Sequence, residues 1–165
     1  MACSLAATLV LSATPALANP AGMPDAFIKL LGSPDSYHGF DVINHTGLNQ
    51  KARDRIPEGS AASFKVRLRN RGKVTDDISV TGCDGNHKFA VRYSEPGGAS
   101  VSGAVKNGTY TVQDLPSDTS ADALYVGIVA RNSAGHGDKI NCRLRFDSAN
   151  EALAYDVVRA FVKIA

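Results

Sequence analysis

Tryptophan is missing from the 165 residues, and cysteine and methionine are scarce, at three and two. Without an indole the chain lacks one common anchor for interface hot spots and for stacking on sugars. No apolar run approaches the roughly 20 residues that a membrane-spanning helix needs. Neither charge dominates. Eighteen basic and 16 acidic residues leave a formal +2, too even to argue for nucleic acid, whose dedicated binders show a basic excess or patch. Catalytic signatures are missing too. "GGASVSG", around Ser100 and Ser102, does not match the G-x-S-x-G nucleophile turn. Gly97-Gly98 opens no helix and so makes no phosphate cradle. "CDGNHK" offers only Asp84, and "VTDDIS" only Asp76 and Asp77, short of a calcium loop's alternating carboxylates. The chain reads as non-enzymatic, with no catalytic, cofactor or metal site expected.

What is present begins with an export pattern. "MACSLAATLVLSATPALA", residues 1–18, has an apolar stretch from Leu5 to Leu11, a helix-breaking Pro15, and Ala16-Leu17-Ala18 in the small-x-small form that signal peptidase accepts. No Lys or Arg precedes the apolar stretch, the one element of the pattern that is missing. Cleavage after Ala18 would leave residues 19–165 as a single domain, a secreted, periplasmic or surface protein. Two cysteines then remain, Cys83 and Cys142, 59 positions apart. In an oxidising compartment the simplest state of two cysteines is one disulfide. Closing so long a loop stabilises by roughly 4 kcal/mol in the chain-entropy model. The rival, a metal held by Cys83, His87 and Cys142, lacks a fourth ligand.

The rest of the chain alternates with period two, cut by turns. "AFIKLLG" and, more weakly, "DVINHTG" read as strands, and "QKARDRIPEG" as a polar segment ending in a turn. Further strands follow in "SFKVRLRN", "DISVTGC", "KFAVRY", "NGTYTVQDL", "DALYVGIVAR", "INCRLRF" and "YDVVRAFVKI", with "EPGGASVSG" as a loop. Eight or nine short strands, each apolar on one side, predict an all-β antiparallel sandwich.

One strand carries the candidate binding residues. Alternation sets Lys65, Arg67 and Arg69 on one face and Phe64, Val66 and Leu68 on the other. The first reading is a solvated face, balanced by acids nearby in sequence such as Asp54, Glu58, Asp76 and Asp77. The second is an anion-binding face that Arg143 and Arg145 join, taking an anionic polysaccharide, a teichoic-type polymer or lipid headgroups. A sugar-binding role would instead call for exposed aromatics aligned on one face, from Tyr37, Tyr93, Tyr110, Tyr125 and Tyr155.

"PDAFIKLLG", "ASFKVRLRNRGKVTDDISVTG", "KFAVRYSEPGGASVSGAVKNGTYTV" and "SANEALAYDVVRAFV" together resemble a bacterial extracellular immunoglobulin-like repeat module, similar in kind to cell-adhesion-related domains. The resemblance rests on turns and core positions. It implies an immunoglobulin-like sandwich with a non-enzymatic role in adhesion, envelope or matrix contacts, and a surface protein or anionic polysaccharide as partner. An accessory carbohydrate-binding domain of an extracellular enzyme system is the alternative. Mass spectrometry of the exported protein should find a chain that starts at Asn19; an intact Met1 would refute the export signal.

Overall fold

Period-two alternation becomes nine strands and one short helix in the computed structural model, which describes residues 20–165. The export segment 1–18 and Asn19 lie outside the described residues. The strands are β1 (Pro24–Leu30), β2 (Lys51–Ile56), β3 (Ala61–Asn70), β4 (Asp76–Thr81), β5 (Phe89–Ser94), β6 (Tyr110–Leu115), β7 (Ser120–Ala130), β8 (Lys139–Ser148) and β9 (Tyr155–Ile164). Helix α1 (Ser102–Lys106) follows β5. They form a β-sandwich. One sheet has the order β1-β3-β7-β5, the other β2-β9-β8-β4-β6.

Burial fixes the register. Phe64, Val66 and Leu68 of β3 are fully buried, as are Val126 and Ile128 of β7, Leu144 and Phe146 of β8, and Ala160, Val162 and Ile164 of β9. A slip by one residue would bring Lys65, Arg67 and Arg69 into this core, so the apolar positions hold the strand in place. The predicted disulfide is present, with Cα atoms 5.5 Å apart. Cys142 lies on β8 and Cys83 just beyond β4, so the bridge joins neighbours within one sheet. Antibody domains carry theirs between sheets. The Tyr93 hydroxyl reaches across from the other sheet, donating to the Cys83 carbonyl at 2.8 Å and lying 3.2 Å from Cys142 Sγ.

Three segments differ from the sequence expectation. Residues 41–47, read as a strand, form a looped connection. Asp41 and Gly47 have positive φ, and Asn44 Oδ1 accepts the backbone N–H groups of Thr46 and Leu48. These local bonds displace a ladder. "QKARDR", read as a polar segment, supplies edge strand β2, and β2 runs parallel to β9 where antiparallel sheets were expected. The 31–50 connection crosses from one sheet to the other and delivers β2 in the direction of β9. Lastly, α1 starts at the last two residues of the glycine-rich loop and tucks Val105 into the core.

Two carboxylates are buried where the sheets meet. Asp156 of β9 accepts N–H bonds from Ala26 at 2.8 Å, Asn44 at 2.9 Å and Val157 at 2.8 Å, and both its oxygens take the Gln50 side-chain amide. Burial pushes its pKa up, and those bonds offset part of the rise. Asp25 of β1 has one oxygen on the Asp41 N–H at 3.2 Å and the other unpartnered. Burial raises its carboxyl from near 3.8 to about 6; the Asp156 charge adds to the rise, while the Asp41 N–H and Arg71 oppose it.

Phe64→Ala should cost about 3–5 kcal/mol through lost burial and a cavity, measured by denaturant unfolding. Asp25 gives a second test. Its folded pKa exceeds its unfolded value, so its protonated form favours the fold. That contribution is complete below pH ~4 and lost as pH rises through about 6. Asp25→Asn should therefore be more stable than the parent at pH 7, by at most about 3 kcal/mol, and the two should converge near pH 4. A less stable variant at pH 7 would contradict this.

Candidate anion-binding face

The basic stripe on β3 is neutralised. Lys65 and Arg67 both reach Asp122, at 2.7 and 3.2 Å. A bulge between Val66 and Arg67 in the β3–β7 ladder brings Asp122 opposite Arg67. Arg69 lies between Asp118 at 3.1 Å and Asp41 at 3.4 Å, and Arg71 also meets Asp41, at 3.1 Å. The acids suggested by sequence proximity are not these partners. Asp76, for one, is buried and accepts from Ser148 Oγ at 2.6 Å and the Asn150 amide.

Lys65, Arg67, Arg69, Arg143 and Arg145 do not make one face. The first three lie outside the four-stranded sheet, Arg143 and Arg145 outside the five-stranded sheet, with the core between. Arg145 is also occupied, paired with Asp147 and packed 3.8 Å from the centroid of Tyr155.

The outer face around Arg143 is different. In β2, Lys51, Arg53 and Arg55 point outward; in β9, Arg159, Phe161 and Lys163; in β8, Lys139, Asn141 and Arg143. The ladders set like charges opposite one another: Lys51 by Arg159, Arg159 by Arg143, Arg55 by Lys163, and Lys163 by Lys139. Among the described residues none of these cations has an acid within ion-pair distance. The acids at the margin are engaged otherwise. Asp54 caps the Arg55 N–H at 2.8 Å, Glu58 accepts the His136 N–H at 3.1 Å, and Asp138 holds Lys88. Like charges directly opposite in a sheet are destabilising. At the centre the Phe161 ring has Lys51 Nζ 5.4 Å and the Arg53 guanidinium 6.0 Å from its centroid.

The 31–50 connection builds one wall. Arg159 donates Nε to the Thr46 carbonyl at 2.7 Å, and Arg143 donates to the His45 carbonyl at 3.0 Å. Gly47 has a φ of +71°, and a Cβ there would lie 2.9 Å from Arg159 Cγ. Only glycine allows this approach. A pocket of about 490 Å³ opens between the wall and the sheet, lined by His38, Gly47, Leu48, Asn49, Lys51, Arg53 and Arg159. Partial burial first, then Arg53 and Arg159, push the Lys51 ammonium below its ordinary pKa. The arrangement can take anionic groups along three strands and one at greater depth.

The tyrosines do not align. Tyr93 is buried, Tyr110 donates to the Ala123 carbonyl, Tyr37 packs on Phe27, and Tyr155 stacks on His45. Tyr125 borders a separate trench on the opposite sheet. Sequence reasoning missed Lys51, Arg53, Arg55, Lys139, Arg159 and Lys163. The available signal was cations at same-face spacing in three short stretches, every second residue in "KARDR" and four residues apart in "KINCR" and "RAFVK", which only the sheet order unites.

No family model and no curated protein matches the chain. Among solved structures it is similar to the major pilin subunit BcpA (D312A variant) of Bacillus cereus, at 12% identity and TM-score 0.50, over 86% of this chain and 40% of that one. It is also similar to the secreted serine protease VesC of Vibrio cholerae (8%, TM-score 0.43, 68% and 21%). A family 123 glycoside hydrolase of Clostridium perfringens is a third (8%, TM-score 0.46, 87% and 27%). The chain spans less than half the length of each. The pilin likeness shows the sandwich fold.

Because Lys163 faces Arg55 and Lys139, Lys163→Gln should raise stability by about 0.5 kcal/mol in denaturant unfolding. A loss of that size would mean the cations are compensated.

Proposed function

We propose that the chain is a secreted, non-enzymatic immunoglobulin-like sandwich module. It attaches to an anionic polymer of the cell envelope or matrix through the outer face of the five-stranded sheet. The observation that carries this reading is the set of directly opposed cations on β2, β9 and β8, with no acid paired to them among the described residues. A face needed only for solubility would intersperse acids, as β3 and β7 do with Asp122. A polyanion laid across the three strands relieves the repulsion that the free fold bears. The pocket at Lys51, Arg53 and Arg159 holds one carboxylate or phosphate of that polymer.

One further feature supports a secreted module, the Cys83–Cys142 disulfide, a bond of oxidising compartments.

The test is retention of the processed chain on immobilised polygalacturonate and on poly(glycerol phosphate). Binding at ~0.05 M salt should be lost by ~0.5 M, because exposed charges are screened as the Debye length shrinks. A Lys51→Gln/Arg55→Gln/Lys163→Gln variant should bind at least about tenfold more weakly while folding as stably as the parent or more so. Unchanged retention by that variant would refute the assignment.

A further inference from the structure

Gly127 sits in the middle of β7, and it is the glycine found within a strand of this fold. Neither backbone nor packing calls for it. Its φ lies outside the left-handed region, and a Cβ built there meets nothing within 4 Å. Glycine in a strand interior costs stability relative to a residue with a side chain, and it often marks a place where a ligand comes close. Here its effect is to leave a trench of about 440 Å³ across the outer face of the four-stranded sheet.

The ladders define what surrounds the gap. Ser63 of β3 and Arg92 of β5 stand on either side of Gly127, and Ser94 stands beside Tyr125 one step along the strands. Leu31 and Ser100 close the ends. Arg92 is exposed and, unlike the β3 cations, has no acid within ion-pair distance among the described residues. An aromatic wall, an apolar floor, several hydroxyls and one free guanidinium converge on a volume at the small end of ligand pockets.

We infer that this trench is a binding subsite for a single acidic sugar unit, a pyranose bearing a carboxylate. The apolar ring face lies over Gly127 against Tyr125 and Leu31, the ring hydroxyls exchange hydrogen bonds with Ser63, Ser94 and Ser100, and the carboxylate meets Arg92. The trench and the β2–β9–β8 cations occupy opposite faces of the sandwich, so the inference stands whether or not that basic face binds a polymer.

The experiment is an amide chemical-shift titration of the processed chain with sodium glucuronate, with glucose and sodium acetate as comparisons. Glucuronate should shift the amides of Ser63, Arg92, Ser94, Tyr125 and Gly127; glucose should shift them more weakly, and acetate not at all. Gly127→Val fills the trench and should keep or raise the melting temperature while weakening glucuronate binding at least about tenfold. Arg92→Gln should bring glucuronate down to the level of glucose, and it serves as the test if the valine variant does not fold. The proposal is overturned if glucuronate moves none of these amides or moves only those of β2, β8 and β9. Acetate matching glucuronate, or a folded Gly127→Val that binds as the parent does, would overturn it equally.

Discussion

The Asp156 carboxylate is the point on which the two sheets and their longest connection converge. It belongs to β9, yet it accepts from the backbone of β1 in the other sheet, from Asn44 in the crossing segment and from the side chain of Gln50 just before β2. A buried carboxylate is costly unless its lone pairs are satisfied, and here both oxygens are shared among segments from distant parts of the sequence. Loss of the carboxylate would leave the Ala26 and Asn44 N–H groups and the Gln50 amide seeking partners together. The position of β2, and with it the wall made by residues 44–48, depends on this one group.

Two strand faces with the same local pattern have opposite electrostatic outcomes. On β3 each cation meets an acid contributed by β7 or by a loop, and the bulge at Val66 and Arg67 makes this possible by bringing Asp122 into line. On β2, β9 and β8 the ladders set Lys51 and Arg143 against Arg159, and Arg55 and Lys139 against Lys163. The repulsion there is a local conflict that the rest of the core outweighs, and conflicts of this kind collect at functional sites. Alternation alone could not separate the two cases. It determines which side chains share a face but says nothing of which strand comes next to it.

That also marks how much was legible beforehand. Turn chemistry and one-sided alternation gave the sandwich, the buried Phe64, Val66 and Leu68, and the outward Lys65, Arg67 and Arg69, because those features lie within a few residues. The Cys83–Cys142 pairing followed from setting Cys3 aside with the expected export segment, which left two candidates. Residues 41–47 escaped because Asn44 folds the backbone onto itself, a choice that apolar spacing does not record. The face around Phe161 escaped because its cations come from stretches brought together only by sheet order. "KARDR", with a single alanine as its apolar inward residue, resembles a polar turn until Ile56 and the β9 ladder show that it is a strand.

The parallel partnership of β2 with β9 bears on the order of events as the chain is made. Synthesis runs from the amino end, so β2 exists long before the strand it must lie beside. Pairings between such distant segments are slow to form, because the intervening chain must first be ordered. Until β9 is complete, β2 has no ladder, β8 shows a bare edge, and Arg159 and Lys163 are not in place. The basic surface is therefore the last part of the molecule to come into being. An unfinished or truncated chain would lack the assembled basic face, so any binding that depends on that face would itself report that the domain had been completed.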